Sequence, residues 1–196
     1  MINNTDAVRL LDSKRNGAVI VPTMNAGNVR MGLPSVSTHD ELDFPLSGCM
    51  GKASSVGLGL ALAHPERKIM VLDGDGSLLM NLGTMVTVSN KAPDNLIHFL
   101  FDNGIYAVTG GQPVPGAGQA DWKLLAEGAG YAATFSFDNL EDLTTSIDQV
   151  LAAKGPVFVH LVVEPEIDNT PVQFRAPARR TVHTAIKKLP EAIGRG

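Results

Sequence analysis

The chain is short of the residues that build disulfides, zinc sites and aromatic cores. It has a single cysteine, Cys49, among 196 residues, so neither an intrachain disulfide nor a cysteine-rich zinc site can form. Only 5% of the residues are aromatic, whereas 44% are hydrophobic and 20 residues are glycine. The core is therefore predicted to be aliphatic, with glycines left to shape loops. A hydrophobic content of this size also excludes an intrinsically disordered chain.

Long apolar runs and an excess of positive charge are lacking as well. No apolar run reaches the roughly 18 residues of a membrane-spanning helix without a charge, Gly or Pro, so we expect no membrane span. The first 16 residues do not show the basic start and apolar block of a secretion signal. We therefore expect a reducing, cytoplasmic setting. The net charge of −4 argues against nucleic acid as a partner.

Short apolar runs alternate with helical segments along most of the chain. Strands are predicted at 18–22, 68–73, 96–101, 133–137 and 157–163, and helices at 5–14, 51–64, 78–91, 121–130 and 140–154. This order predicts an α/β fold, a doubly wound and mostly parallel sheet with helices on both faces. A long irregular stretch over 23–48 interrupts the alternation, and such loops are usually functional or covered by a partner.

The alternation ends after Glu164. We predict one domain over residues 1–164 and a C-terminal extension over residues 165–196 that docks on the core or on a neighbouring chain. Residues 179–189 are predicted to form a basic amphipathic helix. A short basic segment of this kind is usually a solvated face rather than a nucleic-acid site.

The helix predicted at 51–64 carries two rows of small residues. One row contains Ala53, Gly57 and Ala61, and the other contains Gly51, Ser55, Gly59 and Ala63. Each interior glycine costs a helix roughly 1 kcal/mol relative to alanine, so we expect another backbone to pack very closely here. We predict that the Ala53/Gly57/Ala61 row is apolar surface that a partner covers.

Three loops at the predicted carboxyl ends of strands contain residues suited to ligand binding. In the first, Gly74-Asp75-Gly76-Ser77, the glycines allow close backbone approach, and a following helix would offer N–H groups to an anion. Asp75 would repel a phosphate unless a cation lies between them. The second loop contains Asn103, 28 residues after Asp75, which is enough for one helix and one strand. The third, 47–51, could hold a flat polar ring through main-chain groups.

Asp75 and Asn103 are expected to meet at one edge of the sheet, because neighbouring parallel strands end there together. A carboxylate and an amide oxygen, with a backbone carbonyl, suit Mg²⁺ that bridges a diphosphate. They do not suit Zn²⁺, because the softer ligands are missing.

The combination of Gly74-Asp75-Gly76-Ser77 with Phe101-Asp102-Asn103, preceded by the SGCMG and GLGLALA segments, resembles a known family. It is similar to the diphosphate-binding (PP) domain of thiamine diphosphate-dependent enzymes, over about residues 18–163. The resemblance implies thiamine diphosphate as cofactor. It also implies a Mg²⁺ ion held by the side chains of Asp75 and Asn103 and by the carbonyl of Ile105.

The same resemblance implies the remaining contacts with the cofactor. The diphosphate would meet Gly76 and Ser77, and backbone groups of Gly48 and Met50 would contact the aminopyrimidine; Gly74, Asn103 and Tyr106 complete the implied cofactor site. A further diphosphate contact is expected from Asn25 or Asn28. Asp102 stands where many relatives have a second Asn, and in the family pattern its side chain faces away from the metal.

A longer string, Asp102-Asn103 followed by Tyr106, Thr109-Gly110 and Gln112-Pro113, resembles sulfopyruvate decarboxylase β subunits and the matching half of phosphonopyruvate decarboxylases. This implies one subunit of a thiamine diphosphate- and Mg²⁺-dependent 2-oxo acid decarboxylase, whose substrate carries a sulfonate or phosphonate. In that family an activating glutamate lies on a pyrimidine-binding (PYR) domain. One α/β domain occupies nearly all of this chain, so we expect that glutamate on a partner subunit of a hetero-oligomer and no catalytic residue here.

Other interpretations stay open at this point. The same cofactor chemistry serves carboligation and acyl transfer. A non-catalytic module that binds a diphosphate or nucleotide, or a structural subunit with a degenerate site, would need no partner glutamate. The remaining polar residues are interpreted as structural: His39-Asp40-Glu41 as a polar loop surface, His98 and His160 as core or edge histidines, and Cys49 as a thiol without a nearby base.

Overall fold

The computed structural model describes residues 1–168, 170–174, 177 and 180–194. Within these ranges the helices are α1 (Asn4–Ser13), α2 (Leu33–Val36), α3 (Ala53–Ala63), α4 (Asp75–Leu79), α5 (Thr84–Lys91), α6 (Trp122–Ala129), α7 (Leu140–Ala152) and α8 (Val182–Ala192). The strands are β1 (Val19–Pro22), β2 (Ile69–Gly74), β3 (Leu96–Asp102), β4 (Ile105–Tyr106), β5 (Gln112–Pro113), β6 (Ala133–Phe137) and β7 (Val157–Val162). Short 3₁₀ helices lie at Met24–Gly27, Asp40–Leu42 and Val172–Phe174.

Five of these strands form one parallel sheet in the order β1-β2-β3-β7-β6. Helices α1 and α7 cover one face, where Leu11, Phe99 and Ile147 are fully buried. Helices α3, α5 and α6 cover the other, where Val71 and Phe158 are buried. Because both faces are covered, β1, β2 and β3 are buried almost throughout. The predicted α/β class, with a parallel sheet and helices on both faces, is confirmed.

The segment after β3 and the end of the chain pack onto this core. Strands β4 and β5 form a small antiparallel hairpin beside the carboxyl end of β3. Helix α8 packs against the Asp40–Leu42 turn, and its Leu189 is buried. The helix begins at Val182 rather than at 179, and Arg179 lies outside the described residues. The domain boundary at residue 164 stays a prediction. None of the described helices combines the length and apolarity needed to cross a bilayer.

One predicted helix is wrong in its bounds. Instead of a single helix over 78–91, α4 begins at Asp75 and ends at Leu79, and α5 begins at Thr84. Between them the backbone makes tighter turns, with Thr84 N bonded to Asn81 O at 3.0 Å. The Asn81 side chain meanwhile donates to the carbonyl of Gly51 at 3.2 Å. The Thr84 hydroxyl also donates to the Asn81 carbonyl at 2.9 Å, a local bond of the kind that competes with a continuous helix.

One small-residue row of α3 is buried rather than exposed. Ala53 and Ala61 are buried within the chain itself, and a Cβ added at Gly57 would lie 2.2 Å from Cγ2 of Val71 in β2. The closely packed backbone is therefore this chain's own sheet, and the prediction that this row is partner-covered surface is wrong. In the other row Gly51 is buried and precedes the helix, whereas Ser55, Gly59 and Ala63 are exposed, and a Cβ at Gly59 would meet no atom within 4 Å.

Gly57 and Gly59 therefore form a matched pair for a stability test. Gly57→Ala is expected to destabilise the fold by about 1–3 kcal/mol, because its methyl group overlaps Val71. Gly59→Ala is expected to stabilise it by about 0.5–1 kcal/mol, because alanine is the better helix former and the space is open. The midpoint of urea unfolding measures both. Equal midpoints for the two variants would contradict the assignment of the buried row.

Candidate functional site

A cleft opens at the carboxyl ends of β1, β2 and β3, and it gathers most of the predicted site residues. Eight of the nine line it, namely Met50, Gly74, Asp75, Gly76, Ser77, Asn103, Ile105 and Tyr106. The ninth, Gly48, lies outside the lining in a left-handed backbone conformation, with open space around it. Of the two candidate asparagines, Asn25 lines the cleft, whereas Asn28 donates to Asp168 at 3.0 Å.

The pairing of β2 with β3 brings the two predicted ligand loops together. Gly74 stands opposite Phe101 in the register, so Asp75 and Asn103 follow neighbouring strand ends. Asp75 is 4% exposed and accepts the N–H of Gly76 at 2.8 Å. Its second oxygen, Oδ2, accepts the N–H of Gly104 at 2.9 Å, which ties the first loop to the second.

Asp102 does not face away from this site, as the sequence had led us to expect. Its carboxyl group lies against that of Asp75 in a side-chain contact. Its Oδ1 accepts the same Gly104 N–H at 3.2 Å, and its Oδ2 faces Nε2 of His160 at 3.0 Å. The Gly104 backbone, which has a positive φ of 70°, bends so that one N–H serves both carboxylates.

These contacts shift the two carboxyl groups in opposite directions. Burial raises the pKa of Asp75 to about 7, and the neighbouring Asp102 adds to this increase. The hydrogen bonds from the N–H groups of Gly76 and Gly104 act in the opposite direction and lower it. Burial also works to raise the pKa of Asp102, but the hydrogen bonds from His160 and Asp75 outweigh it, and the net shift is downward. Neither carboxylate pairs with a lysine or arginine among the described ion pairs. A buried carboxyl pair short of positive charge is a suitable place for a cation.

The donor atoms around this pair are hard oxygens. The described residues contain no cluster of three or more His, Cys, Asp or Glu side chains that could hold a metal. A cation here would instead take the Asp75 carboxylate, the Asn103 amide oxygen and the Ile105 carbonyl, a set that suits Mg²⁺. Asn103 Oδ1 already accepts the Ile105 N–H at 3.0 Å, so the turn that carries both groups is held in shape. The residues present therefore fit the implied Mg²⁺.

Gly76 and Ser77 are constrained by this chain itself as well as by any ligand. A Cβ at Gly76 would lie 2.5 Å from Cε1 of Tyr106, so the Tyr106 ring packs directly on the glycine backbone. Ser77 is buried, and its Oγ accepts the N–H of Gly51 at 3.1 Å. This bond fixes the end of the 47–51 loop beside Met50. Packing of the Tyr106 ring is thus one reason for glycine at 76, and the contact of Gly76 with a diphosphate stays a prediction.

Several residues near the cleft were not predicted from the sequence. His160 reaches Asp102, although it was interpreted as a core or edge histidine. The extension after residue 164 closes one side of the β4–β5 hairpin, with Asp168 N bonded to Ala107 O at 3.1 Å. The available signal for His160 was its position in β7, the strand beside β3. No local motif indicates either contact.

The raised pKa of Asp75 predicts how the stability of the metal-free chain depends on pH. An ordinary aspartate has a pKa near 3.8, so between about pH 4 and 7 the folded chain retains a proton that the unfolded chain releases. The free energy of unfolding is therefore expected to fall as the pH rises across this range. Asp75→Asn cannot titrate and should flatten the decline. Urea unfolding at several pH values, in the presence of a chelator, measures it; an unchanged slope in the variant would contradict the expectation.

Comparison with known proteins identifies a family with this fold. Residues 25–161 match the family model described as thiamine pyrophosphate enzyme, C-terminal TPP binding domain. The chain is 38% identical over 193 residues to a phosphonopyruvate decarboxylase of Streptomyces hygroscopicus, a match that covers 96% of this chain and 47% of that protein. It is 44% identical over 146 residues to the sulfopyruvate decarboxylase subunit beta of Methanothermobacter thermautotrophicus, covering 72% and 75%. The chain thus spans about half the length of the first relative and most of the second.

A solved structure shows the same fold. The thiamine diphosphate-dependent 4-hydroxybenzoylformate decarboxylase of Rhodococcus jostii RHA1 superposes with a TM-score of 0.63 at 20% identity, covering 86% of this chain and 33% of that one. The family is shown by the match of its model over residues 25–161. The chain belongs to the thiamine pyrophosphate enzymes, and residues 25–161 form their C-terminal domain that binds thiamine diphosphate.

Proposed function

We propose that this chain is the diphosphate-binding subunit of a Mg²⁺-dependent 2-oxo acid decarboxylase. The observation that carries the proposal is the meeting of Asp75, Asn103 and Ile105 at adjacent strand ends, around a carboxyl pair that no lysine or arginine of the described residues neutralises. A Mg²⁺ ion there would neutralise the pair and hold the cofactor diphosphate. The proposed subunit needs a PYR-type partner for activity, whereas a module that only binds a nucleotide would bind its ligand without one.

The residues of this chain supply binding and orientation. Asp75, Asn103 and the Ile105 carbonyl would hold Mg²⁺, while Gly76 and Ser77, which line the same cleft, would meet the diphosphate. Tyr106 closes the cleft over Gly76, and Met50 lines it from the 47–51 loop. Thiamine diphosphate, when bound, supplies a nucleophilic thiazolium carbon and an electron sink for the pair of electrons left by decarboxylation.

The substrate class follows from the relatives whose sequences cover most of this chain. Those proteins are named phosphonopyruvate decarboxylase and sulfopyruvate decarboxylase subunit beta. Both names describe a 2-oxo acid that carries a second acidic group, a phosphonate or a sulfonate. We infer that the substrate of this chain has the same two anionic ends.

A partner subunit is the second half of the proposal. Large exposed hydrophobic side chains lie on or beside the helices of one sheet face, at Leu62 in α3, Met80 after α4, Val86 in α5 and Leu124 in α6. Several exposed apolar side chains on one face are what an interface with a partner would cover. We infer that a PYR-type chain covers this face and brings the activating glutamate to the cofactor.

The first test removes the proposed metal ligand. Asp75→Ala is expected to abolish Mg²⁺-dependent binding of thiamine diphosphate, because the charged ligand is lost. Asn103→Ala should weaken binding less, since it removes a neutral oxygen. Asp94→Ala, an exposed aspartate paired with Lys154, is the matched control and should bind as the wild type does. Isothermal titration of each folded protein with thiamine diphosphate and Mg²⁺ measures this; wild-type affinity in Asp75→Ala would overturn the assignment.

The second test concerns the partner. This chain alone is expected to release no CO₂ from any 2-oxo acid, and activity should appear when a PYR-type subunit is added. An absent acid–base group typically costs 10²–10⁴-fold in rate, and the cofactor cleft would also lie open to water. The assay follows CO₂ release from sulfopyruvate, phosphonopyruvate and pyruvate, with and without the partner. Turnover by the single chain that no partner changes would contradict the proposal.

A further inference from the structure

Each of the two loops that meet at the proposed cation site is preceded by an aspartate at the end of its strand. Asp73 precedes the first loop and Asp102 precedes the second. Each turns an oxygen back onto the loop that follows it. Asp73 Oδ1 accepts the Gly74 N–H at 2.9 Å, and Asp102 Oδ1 accepts the Gly104 N–H at 3.2 Å.

A histidine on the neighbouring strand faces the other oxygen of each aspartate. His160 of β7 stands opposite Leu100 in β3, two residues before Asp102, and its Nε2 lies 3.0 Å from Asp102 Oδ2. His98 of β3 bears the same diagonal relation to Asp73 of β2, with 3.6 Å between Nε2 and Oδ2. The first distance is a hydrogen bond. The second is too long for one, and both of its atoms are buried without a hydrogen-bond partner.

The other nitrogen of each histidine meets a hydroxyl group. His160 Nδ1 lies 3.0 Å from Ser136 Oγ in β6, and His98 Nδ1 lies 3.0 Å from the Tyr131 hydroxyl. A hydroxyl that donates to Nδ1 leaves the hydrogen of a neutral imidazole on Nε2, where it points at the carboxylate. The same order of groups, hydroxyl, histidine, aspartate and loop N–H, therefore occurs beneath both loops.

Fold stability alone does not account for this arrangement. A buried ionic or polar pair is often no more stabilising than apolar residues of the same size. The polar series beneath Asn103 reaches across three strands, from Ser136 in β6 through β7 to the end of β3. Its last bond is to Gly104, the residue whose N–H is shared with Asp75.

We propose that His160 is a positioning residue for the cation site: it fixes the Asp102 carboxylate, which holds the Gly104 turn so that Asn103 and Ile105 face Asp75. The inference rests on the proposed function, because it assigns a role toward the Mg²⁺ ion of that site. Removing a residue that hydrogen-bonds to a metal ligand, without itself touching the metal, typically weakens metal affinity by about 10–100-fold.

Two amide variants of His160 separate orientation from packing. In His160→Gln the side-chain nitrogen can stand where Nε2 stands and still donate to Asp102. In His160→Asn the side chain is too short to reach Asp102, although it can still bond to Ser136. Thr134→Val is the matched control, because Thr134 lies on the same strand as Ser136 but bonds to Glu127 instead.

The measurement is the Mg²⁺ concentration that half-saturates thiamine diphosphate binding, by titration calorimetry on the full chain assembled with its PYR-type partner. His160→Asn is expected to raise that concentration about 10–100-fold, and excess Mg²⁺ should restore binding. His160→Gln and Thr134→Val should stay within about threefold of the wild type. Thermal unfolding of the four metal-free proteins reports whether the fold is intact.

The Asp102→Asn background makes the test independent of any one variant's folding. If His160 acts through Asp102, His160→Asn should have little further effect on Mg²⁺ half-saturation once Asp102 is replaced. Equal weakening by His160→Gln and His160→Asn would overturn the inference, as would a lowered unfolding temperature with unchanged Mg²⁺ half-saturation. A wild-type protein that binds no Mg²⁺ with thiamine diphosphate would instead overturn the proposed function, whatever the His160 variants show.

Discussion

The parallel pairing of β2 with β3 is the constraint on which the site depends. Because the two strands run together from Ile69 and Leu96 to Gly74 and Phe101, the loops that follow them begin side by side. The Asp75 carboxylate can then accept an N–H from Gly104 of the other loop, a bond that spans 29 residues of sequence. Shifting the register by one residue would turn the strand-end side chains to the opposite face and separate the groups.

The sheet itself could be predicted from the sequence because its strands are strongly apolar. Buried parallel strands read as short continuous runs, and segments such as 96–101 differ clearly from the helices between them. The strand ends, and hence the positions of Asp75 and Asn103, followed from those runs. That the oxygens of Asp75 and Asn103 lie close together could be predicted as well, because neighbouring parallel strands end at the same edge of the sheet.

The sequence did not indicate which residues far apart in the chain contact each other in the fold. The glycines of α3 showed that some backbone packs closely, but only the structure shows that Gly57 rests on Val71 of the same chain. Asn81, between α4 and α5, bonds to Gly51, 30 residues away. The orientation of Asp102 depends on His160, 58 residues away. These are tertiary contacts, and the spacing of apolar residues along the sequence does not indicate them.

The electrostatics of the cleft join the fold to its proposed chemistry. Two carboxyl groups in contact at a strand end are unfavourable while both are charged, because each is partly removed from water and repels the other. The two carboxyl groups differ in pKa: that of Asp102, bonded to His160, is lowered, whereas that of Asp75 is raised to about 7, so Asp75 takes up a proton at a higher pH than Asp102 does. A divalent cation can replace that proton, since it offers Asp75 the positive charge that the described side chains around it do not. A cation at this site would thus remove the repulsion between the two carboxylates, and its binding would then stabilise the folded chain.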